Sequence, residues 1–171
     1  MLPNKHISLL TLMKALFPFM FFFIFSCTHA QRTETTVQSE WNLTESQWQS
    51  KLTELEYYVI REKGTERAYS GAYWDNKALG IYTCKACAQP LFKSQTKYES
   101  GTGWPSFWGP ISTENVSVEE DYSLGIIRSE VLCARCGGHL GHVFHDGPKP
   151  TGLRYCLNSA SLQFEPSAPK N

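Results

Sequence analysis

Two Cys-x-x-Cys pairs, Cys84-Lys85-Ala86-Cys87 and Cys133-Ala134-Arg135-Cys136, constrain this chain more than any other feature. A tight turn with that spacing lets two sulfurs converge on one ion, and two such turns supply a tetrahedral four-cysteine site. Leu91 soon follows one pair and Gly137-Gly138 the other, as in zinc knuckles. Four thiolates leave no open coordination position, so a zinc ion held there would fix the fold and do no chemistry. It would pin the loop after the N-terminal helices to the loop before a histidine-rich segment. Two other uses of paired cysteines compete. A thioredoxin-type redox centre needs one pair at a strand-to-helix junction. Disulfides need an oxidising compartment.

Such a compartment is what the N-terminus predicts. Residues 1–26 carry Lys5 and Lys14, no acidic residue, and the uncharged run ALFPFMFFFIF at 15–25. That run is about half the length of a membrane-spanning helix, and Pro18 interrupts it. A short apolar core behind a basic start reads as a bacterial-type export signal. It ends in Ile24-Phe25-Ser26-Cys27, which resembles the lipobox of bacterial lipoproteins. The expectation is an exported, periplasmic protein anchored to the membrane through a lipid on Cys27. Cleavage after Ala30 and a retained single-pass anchor are the alternatives. Residues 27–40 are Thr- and Gln-rich and read as a flexible tether, which leaves 41–171 as the domain.

The chain has 171 residues, enough for one domain with a real core. Lys+Arg and Asp+Glu both number 16, so the formal net charge is zero. Losing Lys5 and Lys14 with the signal leaves 14 basic against 16 acidic residues, net −2. That balance argues against a protein that grips nucleic acid through its phosphates.

Thr44-Glu45-Ser46-Gln47 and Thr53-Glu54-Leu55-Glu56 match the helix capping box. Trp48, Leu52, Leu55 and Val59 recur at helical spacing. One bent helix or two short ones are predicted over 45–63, ended by Gly64. Beyond Gly64, Gly and Pro punctuate short segments rich in Tyr, Phe, Val and Ile. Strands are predicted near 80–84, 91–93, 105–108, 124–132, 142–145 and 159–164. The expected fold is mainly antiparallel β, two packed sheets, with short N-terminal helices.

With Cys27 in the signal and four cysteines in the metal site, Cys156 remains, in Gly152-Leu153-Arg154-Tyr155-Cys156-Leu157-Asn158. A lone cysteine is commonly a buried apolar filler. On a strand, however, Arg154, Cys156 and Asn158 share a face, and a nearby cation favours the reactive thiolate. His139, His142 and His145 fall within seven residues that end just before Asp146. Histidine is the side chain best suited to move protons near neutral pH. Gly101 and Gly103 form a tight turn that presents Trp104, an aromatic wall for a small apolar group. Phe107 and Trp108 read as core.

These residues resemble a known family, the B-type peptide methionine sulfoxide reductases. The matches are REKGTERAYSG at 61–71, GTGWPSF at 101–107, HLGHVFHDGP at 139–148 and GLRYCLNSASLQF at 152–164, with both Cys-x-x-Cys pairs in register. The resemblance spans roughly 43–165. It implies a structural zinc and stereospecific reduction of the R epimer of methionine sulfoxide. In that family's terms, Cys156 is the nucleophile and His139 and His142 orient and protonate the sulfoxide oxygen, with Asp146 in support. Arg154 favours the thiolate, Asn158 is a polar contact, and Trp104 receives the methyl group on sulfur. The products are methionine and a sulfenic acid on Cys156.

Many family members carry a second, resolving cysteine where this chain has Thr102. A one-cysteine cycle is therefore expected, with the sulfenic acid reduced by a thioredoxin-like protein or a small thiol. His145 is given no role. Oxidised proteins or peptides are the expected substrates, and a shallow cleft on a monomer would admit them. The competing function is a zinc-ribbon-like binding module without catalysis. The 45 residues between Cys87 and Cys133, far more than a compact ribbon holds, argue against it.

Overall fold

The computed structural model describes residues 40–168. The export signal, the lipobox at Cys27 and nearly all of the tether lie outside the described residues.

Both capping boxes form. Thr44 caps helix α1 (Glu45–Lys51) and Thr53 caps α2 (Glu54–Ile60), each with the reciprocal Gln or Glu bond. Leu52 and Thr53 between them are extended, so the chain makes two short helices and not one bent helix. Trp48, Leu52 and Val59 are buried, but Leu55 is 52% exposed, and Ile60 takes its expected place in the core. Lys63, not Gly64, adopts the left-handed conformation after α2. The Gly64 amide donates to the Tyr58 carbonyl at 2.9 Å, closing the helix end. A Cβ at 64 would sit 2.3 Å from the Tyr58 ring, so a larger residue there would displace that exposed side chain.

Nine strands follow among the described residues, paired antiparallel in two sheets. They are β1 (Gly80–Cys84), β2 (Pro90–Lys93), β3 (Lys97–Tyr98), β4 (Ser106–Phe107), β5 (Val116–Asp121), β6 (Arg128–Cys133), β7 (His139–Phe144), β8 (Arg154–Leu157) and β9 (Leu162–Pro166). One sheet runs β2-β1-β9, the other β3-β4-β8-β7-β6-β5. The strand predicted over 124–132 begins only at Arg128. Residues 122–127 instead form the turn of the β5–β6 hairpin, with Gly125 at φ +72°. The segment predicted at 159–164 divides into a 3-10 turn, Ser159–Ser161, and β9.

The core joins both sheets and both helices. Tyr82, Phe92 and Phe107 are fully buried, with ring centroids 4.7–5.0 Å apart along Phe92–Phe107–Tyr82. Edge-on and offset aromatic contacts of this kind stabilise beyond their buried area. Trp48 and Ile60 carry the helices into the same cluster.

Candidate active site

The two Cys-x-x-Cys turns meet. Cys84 and Cys87 follow from β1, Cys133 and Cys136 from β6, and their four sulfurs lie within 4.8 Å of one another. The closest approaches run between turns: Cys84 to Cys136 at 3.7 Å and Cys87 to Cys133 at 3.5 Å. A tetrahedron of zinc–sulfur bonds of about 2.3 Å has edges of about 3.75 Å. A disulfide would need about 2.05 Å. The spacing therefore fits a shared ion and not a pair of bridges. Hydrogen bonds from the Cys136, Cys84 and Cys87 thiols pull Cys133 well below the ordinary thiol range, toward the metal-binding thiolate.

The second constellation centres on β8. Its register sets Cys156 between Ser106 on β4 and His142 on β7. Gly141 makes this pairing possible, because a Cβ there would come within 2.1 Å of the Cys156 carbonyl oxygen. Histidines at i and i+3 of a regular strand would point to opposite faces. A β-bulge changes that. Val131 pairs with Gly141 and Leu132 with His139, leaving Leu140 as the extra residue. The His139 and His142 rings consequently lie 5.5 Å apart.

Each histidine has its own carboxylate. His139 Nδ1 is 2.7 Å from Glu130 Oε1, and Lys63 Nζ meets the other oxygen of Glu130 at 2.8 Å. Burial pushes the His139 imidazole below its ordinary pKa, which keeps it neutral, with Nδ1–H donating to Glu130. Its Nε2 is buried and has no partner among the described residues. His142 Nε2 lies 2.8 Å from Asp121 Oδ2, which also pairs with Arg128. Hydrogen bonds from Ser123 and then from His142 hold the Asp121 carboxyl well below the usual range.

Asp146 sits elsewhere. It grips Arg154 with two bonds, Nε to Oδ1 at 2.9 Å and Nη2 to Oδ2 at 2.8 Å, while the histidines take their carboxylates from β5 and β6. Arg154 lies over the Phe144 ring, 4.3 Å from its centroid. Asn158 is buried beside Cys156, but both ends of its amide are engaged. Oδ1 accepts from the Glu66 amide at 3.0 Å and Nδ2 donates to the Leu140 carbonyl at 3.2 Å. His145 is exposed.

Trp104 is half-buried, and its indole N–H donates to the Glu66 carbonyl at 3.1 Å. Its loop is stitched down by Tyr69, whose amide donates to Gly103 O at 2.8 Å and whose hydroxyl donates to Gly101 O at 2.6 Å. Trp104, His142, Phe144, Arg128 and Asn158 wall a cleft of about 140 Å³ onto which Cys156 opens. That volume suits the end of one side chain, since pockets for larger ligands begin near ~300 Å³.

Sequence reasoning misses Glu66, Asp121, Arg128 and Glu130. Glu66 lies inside the 61–71 motif, with nothing in the sequence to assign it a task. Its buried carboxylate accepts from the Ser159 amide at 2.6 Å and the Ala160 amide at 2.9 Å. Glu130 left one signal, a carboxylate in an otherwise apolar strand segment, Glu130-Val131-Leu132.

The family model described as the SelR domain matches residues 52–166. A peptide methionine sulfoxide reductase MsrB from Thiobacillus denitrificans is 54% identical over 123 residues, covering 72% of this chain and 93% of that protein. The protein of the same name from Methanosarcina mazei is 58% identical over 127 residues, 74% of this chain and 91% of its own length. That of Leptospira interrogans is 54% identical over 126 residues, 74% and 96% respectively.

Proposed function

The chain belongs to the SelR-domain family of MsrB-type peptide methionine sulfoxide reductases, and from that membership we propose how its own residues carry out the reduction. The enzyme is an oxidoreductase. The observation that carries the assignment of roles is the pairing of Cys156 with His142 across β7 and β8, on the wall of a cleft closed by Trp104.

The R epimer of a methionine sulfoxide enters that cleft with its S-methyl group against Trp104. The Cys156 thiolate attacks the sulfoxide sulfur as the oxygen gains a proton. The acid lies on the β7 side. His142 lines the cleft and is held in place by Asp121 at its Nε2, so His142 is the histidine placed to donate the proton. Neutral His139, anchored by Glu130, offers Nε2 as an acceptor that orients the protonated oxygen. Arg154, steadied by Asp146, supplies the positive charge near the sulfur, and Asn158 braces β8 against Glu66 and Leu140. The oxygen passes to sulfur: methionine leaves, and Cys156 becomes a sulfenic acid. Thr102 carries no thiol, so the sulfenic acid is reduced directly by an external thiol.

A zinc ion held by Cys84, Cys87, Cys133 and Cys136 has a structural role here, tying the β1–β2 turn to the start of β7. Residues 1–26 support export and a lipid on Cys27, with 27–40 as the tether of a periplasmic, monomeric enzyme. Oxidised proteins and peptides are its substrates. Family membership fits this reading and does not fit a non-catalytic zinc-ribbon module.

The test is incubation with dithiothreitol and each epimer of a methionine sulfoxide peptide. Loss of the R epimer alone is expected, abolished by Cys156→Ser. Consumption of the S epimer, or activity retained in Cys156→Ser, overturns the assignment.

A further inference from the structure

A second cleft, of about 420 Å³, lies beside the first and shares no lining residue with it. Tyr98, Glu99, Ser100, Thr102, Pro148 and Arg154 form most of its wall. Thr102 separates it from the nucleophile, its hydroxyl oxygen 3.7 Å from the Cys156 sulfur. The Tyr98 hydroxyl is buried and has no hydrogen-bond partner among the described residues. An orphaned buried hydroxyl is costly, and a polar guest would relieve it. The volume falls in the range of small-molecule sites.

The placement of the two clefts matches the stereochemistry of displacement at sulfur. β8 holds Cys156 between His142 on β7 and Ser106 on β4. In the proposed reaction, the sulfoxide oxygen arrives from the His142 side. A thiol that displaces that oxygen as water must approach in line from the opposite side. Ser106, Ser100 and Thr102 mark that side, joined by hydroxyl contacts of 2.7 and 2.8 Å. Ser106 donates to the Trp104 carbonyl at 3.3 Å, so Ser106 accepts from Ser100. The Thr102 hydrogen is then free to turn either to Ser100 or to the sulfur.

We propose that this second cleft is the docking site of a small polar thiol that reduces oxidised Cys156 through the Thr102 side. The proposal rests on the sulfenic acid cycle of the proposed function. The first thiol forms an S–S bond to Cys156 as the S–O bond breaks, and its proton leaves with the hydroxide as water. A second thiol then breaks that mixed disulfide. Cys156 is restored as a thiol and the two small thiols depart as their disulfide.

The probe is dithiothreitol, uncharged and polar, acting on full-length enzyme carrying preformed sulfenic acid. Glu99→Trp obstructs the exposed rim, and Tyr98→Phe removes the orphaned hydroxyl. The rate of sulfenic acid loss should saturate with dithiothreitol. Its second-order constant should fall about tenfold in Glu99→Trp, and the half-saturating concentration should rise in Tyr98→Phe. The yield and rate of the first methionine, made before any reductant is added, should match wild type in both. A linear concentration dependence with unchanged constants overturns the docking site. So does slowing confined to a thioredoxin-like protein, which would make the cleft a macromolecular surface. If wild type makes no first methionine without reductant, the sulfenic acid reading itself falls.

Discussion

The Thr102 hydroxyl occupies the contact, 3.7 Å from the Cys156 sulfur, that a resolving thiol would need. The other four described cysteines are gathered in their own cluster. One turnover without reductant should therefore leave about one trappable sulfenic acid per chain and no disulfide. Thr102→Cys should convert the same turnover into an intramolecular disulfide with Cys156. Mass spectrometry with a sulfenic-acid trap distinguishes the two. A disulfide in the wild type would exclude the one-cysteine cycle.

The four-cysteine cluster predicts bound metal. Purified protein should contain about one zinc per chain, since four thiolates at this spacing saturate one tetrahedral ion. Structural zinc sites stabilise folds by about 10 kcal/mol or more. Cys136→Ser should thus lose both the metal and the cooperative thermal transition, whereas Cys156→Ser should keep both. Metal analysis beside a melting curve reads this directly. A metal-free protein that melts cooperatively would contradict it.

Much of this was legible because its signals are local. Capping boxes, Cys-x-x-Cys turns and the Gly-flanked Trp104 loop each sit within a few residues of sequence. The histidine arrangement was only half legible. The three-residue spacing of His139 and His142 fits neither face of a regular strand, and the bulge at Leu140 that resolves it depends on the pairing with β6. Partners were the least legible part. Glu130 and Asp121 reach the histidines from β6 and β5, while nearby Asp146, the obvious choice by sequence, turns to Arg154. Glu66 serves residues more than ninety positions away. Such contacts are created by the fold and leave no periodic trace.

Glu66 supports the site from behind. Its carboxylate satisfies the Ser159 and Ala160 amides, and its backbone carbonyl holds the Trp104 indole. Glu66→Ala should leave one buried and one part-buried N–H group unpaired and cost about 2–5 kcal/mol. Glu66→Gln should cost less, because its amide oxygen still accepts one of them. Urea denaturation measures the difference. Wild-type stability in Glu66→Ala would show that the carboxylate is not needed as an acceptor for these amides.

Burial of His139 makes stability depend on pH in a defined direction. Desolvation lowers its pKa from the ordinary 6.5 and outweighs the opposing pull of Glu130. The unfolded chain therefore binds a proton below pH 6.5 that the folded chain resists. This contribution to stability is intact above 6.5 and shrinks as pH falls from there toward the folded-state pKa. Its slope is at most about 1.4 kcal/mol per pH unit. His139→Asn cannot titrate but can still donate to Glu130. It should be less stable than wild type at about pH 7.5, and the gap should narrow on going to about pH 5.5. Protonation of the cysteine cluster lowers both proteins alike, so the difference between their urea midpoints isolates the imidazole. A gap that stays constant across this range would mean that His139 is not kept neutral by the fold.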